Sequence, residues 1–205
     1  MVWGAGGGIG KAIVDKLVEE SWQVIALGRG AELLAGKAVL ALDVEVGEEF
    51  SVRRAVSAAA QEVDEISLWV YAAGDITSQP IGTQAYAIWK KILDANLNGA
   101  YLATHISLPL LAKECHLCYL GAISERMRLP GLSAYAAAKT GLEALAEVVR
   151  KETRKKVTVL RPGAVDTGFW QKVPFKLPAH HLKPADAAER LWQAYLDGEQ
   201  GNIDF

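Results

Sequence analysis

Met1-Val2-Trp3-Gly4-Ala5-Gly6-Gly7-Gly8-Ile9-Gly10 opens the chain, and a helix-like segment follows it. Ile9, Ala12, Ile13, Leu17 and Val18 fall on one side of that segment, with Lys11, Asp15, Lys16, Glu19 and Glu20 mostly on the other. Glycines between a strand and a helix allow positive φ and let another backbone or a pyrophosphate approach closely. They also leave the free N–H groups of the helix aimed at an anion. Flexible N-termini and methyltransferase loops share such an opening, so the elements that follow it decide the fold. The loop leaves three residues for a first strand, which is either very short or begins upstream of Met1.

Working outward, Gln23 to Leu27 is a continuous apolar run of the kind buried in a parallel sheet, and it ends in Gly28-Arg29-Gly30. Lys37 to Leu42 reads as a third strand ending at Asp43-Val44, Glu48 to Val63 as a helix, and Ile66 to Ala72 as a fourth strand ending at Ala73-Gly74. Tyr86 to about Lys113 reads as one long or broken helix, interrupted by Asn96 and Gly99. Cys115 to Leu120 is a fifth strand and Val157 to Leu160 a sixth, ending in Arg161-Pro162-Gly163. Ala185 to Leu196 is a last helix, and Gly201 to Phe205 a stub of a final strand. Strands alternating with helices over long crossovers predict a parallel sheet with helices on both faces. No internal linker, repeat or low-complexity tract interrupts residues 1–205, which are therefore expected to form a single domain.

The bulk composition excludes several classes. With 205 residues of which 51% are hydrophobic, the chain is long enough to fill one core. A net charge of -2 gives no basic footprint, which argues against nucleic acid and anionic membrane as partners. No apolar run reaches the roughly 18 residues of a membrane span, and no charged segment followed by an apolar stretch suggests secretion. The two cysteines lie in Cys115-His116-Leu117-Cys118 within an apolar run. A metal site would need a second ligand pair and a redox pair would normally open a helix. Two buried strand thiols in a reducing cytosol are expected instead, with no metal.

The stretch from Leu132 to Glu152 carries the chemistry. Ser133 is a candidate N-cap, alanines fill the first turns, and Leu142, Leu145, Val148 and Val149 recur at intervals of three and four. Arg150 and Lys151 sit where the last turn favours positive charge. Tyr135 and Lys139 are four apart and so share one helical face. An ammonium held close to a phenol favours the phenolate and lowers its pKa from near 10. In an arbitrary helix the same pair is only an aromatic with a snorkelling neighbour. At the end of a second strand in a dinucleotide fold, an acid binds the ribose 2′-hydroxyl and an arginine a 2′-phosphate. Here Arg29 stands with no acid before Glu32, which favours NADP over NAD, the alternative being a solvated loop arginine.

These motifs together resemble the short-chain dehydrogenase/reductase family over nearly the whole chain, which implies a Rossmann-like doubly wound sheet of about six to seven strands. Gly4, Gly8, Ile9 and Gly10 lie in a stretch similar to the family's Gly-x-x-x-Gly-x-Gly loop, and Asp43-Val44 to its adenine-contacting pair. Tyr71-Ala72-Ala73-Gly74 resembles the Asn-Asn-Ala-Gly that ends the fourth strand, and Asn96 the active-site asparagine. Tyr135 and Lys139 are similar to the Tyr-x-x-x-Lys pair, and Pro162-Gly163-Ala164-Val165-Asp166-Thr167 to the loop beside the nicotinamide. Three departures from the pattern stand out. Trp3 replaces a usual threonine, and Tyr71-Ala72 replaces two asparagines, so local hydrogen bonds must be made differently. The family's catalytic serine lies thirteen residues before the tyrosine, where this chain has Ala122; Ser124 is the nearest hydroxyl. A loop shortened by two residues between Ser124 and Pro130 restores Ser124 to the role. Otherwise one oxyanion-type donor is lost, worth roughly 3 kcal/mol.

The resemblance implies a carbonyl reduced, or the matching alcohol oxidised, by hydride transfer with NADP(H). Tyr135 would give or take the proton, Lys139 would lower its pKa and bind the nicotinamide ribose, and Asn96 would position a water. Val165 and Thr167 would hold the carboxamide. Residues 168–183 stand where the family places its substrate lid; Phe169, Trp170 and Phe175 there either line an open apolar pocket or pack on the sheet. His180 and His181 read as loop polar groups, and the chain ends sooner than is usual in the family. The small residues Ala134, Ala136, Ala137, Ala138, Gly141, Ala144 and Ala146 would let another helix come close, and related enzymes pair this helix across a two-fold axis. A homodimer or homotetramer in the cytoplasm is the expectation. The competing reading is a dinucleotide-binding sensor or scaffold with little turnover, for which Ala122 at the serine position and the cut-down lid speak. A methyltransferase would explain the glycines but not Asn96 or the Tyr135 helix.

Overall fold

In the computed structural model, which describes residues 1–123 and 128–205, seven strands form one parallel sheet in the order β3-β2-β1-β4-β5-β6-β7. They are β1 (Val2–Trp3), β2 (Ile25–Leu27), β3 (Leu40–Leu42), β4 (Ile66–Tyr71), β5 (Leu111–Leu120), β6 (Lys156–Arg161) and β7 (Gly201–Asp204). The two-residue β1 is central, its Val2 opposite Ala26 on one side and Val70 on the other. The order reverses between β1 and β4, and an open α/β sheet presents its ligand crevice at the carboxyl ends of such a pair.

Alternation along the strands fills both faces, as continuous apolar runs require. Trp3, Trp69, Tyr71, Leu117 and Tyr119 join one core, which α2 (Glu49–Glu62), α4 (Gly99–Ser107) and α5 (Ser133–Thr153) cover. Val2, Leu68, Val70, Cys118, Leu120 and Leu160 join the other, against α1 (Gly8–Glu19) and α6 (Pro184–Asp197). Trp22, just after α1, sits edge-on to both Trp192 and Tyr195 and fastens that turn to α6. Cys115 and Cys118 are free thiols buried within β5, as expected of strand cysteines.

The long helical stretch is broken as Asn96 and Gly99 suggest. The helix α3 (Tyr86–Leu93) passes through one π turn, Asp94–Asn98, into α4. The Tyr71 hydroxyl donates to the Ala95 carbonyl at 2.9 Å, so this tyrosine serves the turn from a position where the family has asparagine. The helix does not continue to Lys113. Pro109 follows α4 in a short 3₁₀ turn, Leu108–Leu110, and β5 begins at Leu111, four residues before the expected start. A proline cannot donate within a helix, so the ladder cannot run on through Pro109; Leu108 before it keeps helical dihedrals (φ -47°, ψ -43°), and the chain turns extended at Leu111. At the head of α5 the N-cap position is Leu132, with no side-chain cap. Ser133 lies inside the helix and its hydroxyl bonds the Gln84 side chain at 3.1 Å, which corrects its expected capping role.

Candidate active site

After β1 the chain turns at Gly4 with φ +81°, and the Gly4 and Ala5 amides both donate to the Leu27 carbonyl, at 2.6 and 3.1 Å. A Cβ on Gly4 would overlap the Ala73 amide, one on Gly6 the Arg29 carbonyl, and one on Gly10 the Gly4 carbonyl. These three positions admit glycine alone because backbone meets backbone there. The helix α1 starts at Gly8, and Gly7 before it offers no side-chain cap. Its first N–H groups are therefore available at the wall of a cavity of about 710 Å³ to which Gly8, Ile9 and Gly10 contribute. Free helix donors behind a backbone cradle that side chains would fill suit a pyrophosphate. Arg29, exposed, and Val44, buried, line the same cavity on the side of the second and third strands. Asp43 lines neither this cavity nor the next; its carboxylate accepts the Glu32 amide at 3.1 Å and shapes the turn beside Arg29.

A second cavity of about 370 Å³ adjoins the first, and Ile9, Ala73, Gly74, Thr167 and Phe169 line both. Tyr135 and Lys139 form one wall of it, and Pro162, Gly163 and Val165 another. Ala122 also lines it, while Ser124 lies outside the described residues. Thr167 is near the glycine loop: a Cβ on Gly8 would stand 2.9 Å from its methyl group. Phe169, Trp170 and Phe175 line this second cavity. The loop bearing them is pinned at its base, where Leu182 donates to Ala164 at 2.8 Å and accepts from Asp166 at 2.9 Å.

The Lys139 ammonium is buried, donates to the Leu120 carbonyl at 2.7 Å, and lies 5.8 Å from the Tyr135 ring centroid. Burial depresses its pKa to about 8. Burial also pushes the Tyr135 phenol above its ordinary value. The expected lowering of the phenol by the lysine is therefore not what the free protein does. The ammonium is directed at a main-chain carbonyl, and desolvation of the phenol prevails. An ammonium has three donors, so two beyond the Leu120 bond are available to a ligand.

Asn96 is fully buried in the π turn and lines neither cavity. Its amide donates to the Asp75 carbonyl at 2.7 Å and the Ile92 carbonyl at 2.8 Å, and a Cβ on Gly74 would lie 2.8 Å from its Oδ1. It thus braces the end of β4 from behind. The sequence reading missed Asp75 altogether. This carboxylate is buried in the wall of the larger cavity, accepts from Lys172 at 2.6 Å, and stands 3.0 Å from Lys91. Burial alone would raise its pKa, but Lys172, Lys91 and the Ile76 amide outweigh that and hold it below the usual carboxylate value. Its place directly after Gly74 was the one signal available in the sequence.

A cradle at the carboxyl ends of β1 and β4, continuous with a tyrosine–lysine pocket, defines a dinucleotide-binding α/β protein. The model of the short chain dehydrogenase family matches residues 1–176, and the chain belongs to the short-chain dehydrogenase/reductase family, oxidoreductases that act on CH–OH or C=O groups with NAD(P). An uncharacterized oxidoreductase of Staphylococcus aureus strain MRSA252 is 27% identical over 216 residues, covering 100% of this chain and 93% of its own. Another, from Staphylococcus epidermidis, is 28% identical over 202 residues, covering 90% and 87%. The fold matches the 3-ketoacyl-(acyl-carrier-protein) reductase of Brucella melitensis complexed with NADH, at TM-score 0.87, 23% identity and coverage of 99% and 95%. It equally matches the alcohol dehydrogenase of Thermococcus sibiricus complexed with 5-hydroxy-NADP, at TM-score 0.87, 23% identity and coverage of 100% and 94%. Among the described residues no helix is long and apolar enough to cross a membrane.

Proposed function

We propose that this protein is an NADP(H)-dependent oxidoreductase that reduces a small-molecule carbonyl, or oxidises the matching alcohol, with Tyr135 as general acid and base. The observation that carries the reading is the continuity of the two cavities: the glycine cradle and the Tyr135–Lys139 wall share Ile9, Gly74 and Thr167. A nicotinamide bound there supplies or accepts the hydride. What remains for the chain is one proton. Burial keeps the Tyr135 phenol protonated at neutral pH, which is the form that donates to a carbonyl oxygen. Lys139 has donors to spare for ribose hydroxyls, and its charge then favours the phenolate left behind. Asn96 keeps Asp75 and Gly74 in place, and Val165 and Thr167, which line the cavity, would hold the carboxamide. Residues 168–183 serve as a substrate lid whose rings offer an apolar surface.

NADP is preferred because exposed Arg29 stands at the end of β2, where a 2′-phosphate would meet it, and Asp43 is engaged with Glu32. Buried free thiols suit a reducing cytoplasm. A homodimer or homotetramer is built on α5 and α4, where Ala137, Ala144, Val148 and Tyr101 are exposed. A second reading, a dinucleotide-binding sensor or scaffold with little turnover, is favoured by Ala122 in the wall where the family has its serine.

NADPH consumption against aldehydes, ketones and quinones separates the two readings. The enzyme reading expects turnover that Tyr135→Phe reduces by about 10²- to 10⁴-fold. Identical consumption by wild type and variant across the panel contradicts it.

A further inference from the structure

We propose that Asp75 is a positioning residue for the dinucleotide: its buried carboxylate clamps the segment Gly168–Lys172 across the nucleotide cavity through Lys172 and so slows departure of the bound cofactor. The inference rests on the dinucleotide site proposed above.

The two banks of the cavity mouth are α3, which carries Lys91, and the 3₁₀ turn Gly168–Lys172. Asp75 lies between them at the end of β4, its side chain 1% exposed. Lys172 reaches it at 2.6 Å from one bank and Lys91 at 3.0 Å from the other. Both lysines keep about half of their surface in water, so the carboxylate is the desolvated member of the group. A carboxylate without solvent requires its cations, and losing one leaves it half compensated. Swinging the turn outward would break that contact while Asp75 stayed buried, whereas an ordinary surface pair would exchange its partner for water at little cost.

The loop from 168 to 183 is otherwise held near its own base. Trp170 donates to the Val165 carbonyl at 2.8 Å, and Leu182 pairs with Ala164 and Asp166. Among the described residues, Lys172–Asp75 is the one ion pair that joins this loop to the rest of the chain. Lys172 also lies 5.8 Å from the Phe169 ring centroid, so the clamp holds the ring that borders both cavities. The Asp75 carbonyl meanwhile receives Asn96. One residue thus ties the π turn, α3 and the lid to the end of β4.

Stopped-flow release of NADPH from the full chain tests the clamp, read by cofactor fluorescence and needing no turnover. Lys172→Met should release NADPH about tenfold faster than wild type while staying folded, with a melting temperature lowered by the loss of one of the two cations of buried Asp75. Lys172→Arg should restore slow release. Added salt should speed release from wild type more than from Lys172→Met. Lys176→Met, which removes a lysine of the same loop that has no ion pair among the described residues, should release NADPH at the wild-type rate. Release from Lys172→Met at the wild-type rate would overturn the clamp and leave the proposed function standing. So would equal acceleration by Lys176→Met. Failure of wild type to bind NADPH would overturn both.

Discussion

Lys139 is the residue on which the chemistry bears most heavily. Its burial costs the free protein stability, because the folded pKa is near 8 and that of an exposed lysine near 10.5. Between those values the unfolded chain binds more protons than the folded one, so this lysine makes stability rise with pH across that window. Below about pH 8 the full penalty applies, on the order of 3 kcal/mol at 1.36 kcal/mol per pKa unit. Urea titrations of wild type and Lys139→Met should therefore show the variant gaining on wild type below pH 8, with the difference closing by pH 10.5. A difference independent of pH would contradict the buried ammonium. That Tyr135 and Lys139 share one face was legible from their spacing, since four residues is close to one turn of helix, but reading them as a site needed the motifs around them. The sign of the phenol's shift was not, because desolvation depends on what closes over the ring. Asp75 was hidden for a related reason: Lys172 is 97 residues away, and no local pattern announces such a partner.

At the scale of the element, the π turn shows how a departure from the family pattern is accommodated. Tyr71 donates to the Ala95 carbonyl, and Gly99 leaves room for that hydroxyl: a Cβ there would stand 2.5 Å from the Tyr71 oxygen. Gly99→Ala should lower stability by about 1–3 kcal/mol through overpacking. Tyr71→Phe should cost a similar amount by leaving a carbonyl unpaired. Because the hydroxyl is common to both effects, the double variant should lose less than the sum, which a double-mutant cycle in urea reads directly. Strict additivity would mean the hydroxyl and the glycine are independent. The break in the helix was legible from Asn96 and Gly99, whereas its π geometry was not. The start of β5 was misread because apolar Leu110-Leu111-Ala112 extends a helical pattern as readily as it opens a strand, and Pro109 decides between them.

For the whole molecule, the order of the strands does the positioning. Reversal between β1 and β4 brings Gly4 and Ala73 into backbone contact, and the first cavity opens at that seam. Glycine loop, strand ends and Tyr135 helix are far apart in the chain, yet their order along it was enough to foresee the crevice, because parallel crossovers leave few topologies. The proposed assembly would use the exposed surfaces of α4 and α5. Light scattering after size exclusion should give a dimer or tetramer at micromolar concentration, and a monomer would contradict the paired helices. The most direct measurement of the central claim is a crystal structure with NADP⁺ bound. The account predicts the pyrophosphate at the amino end of α1, the adenine against Val44, and the nicotinamide between Gly74, Thr167 and Tyr135. A dinucleotide lying elsewhere, or one whose nicotinamide is directed away from Tyr135, would contradict it.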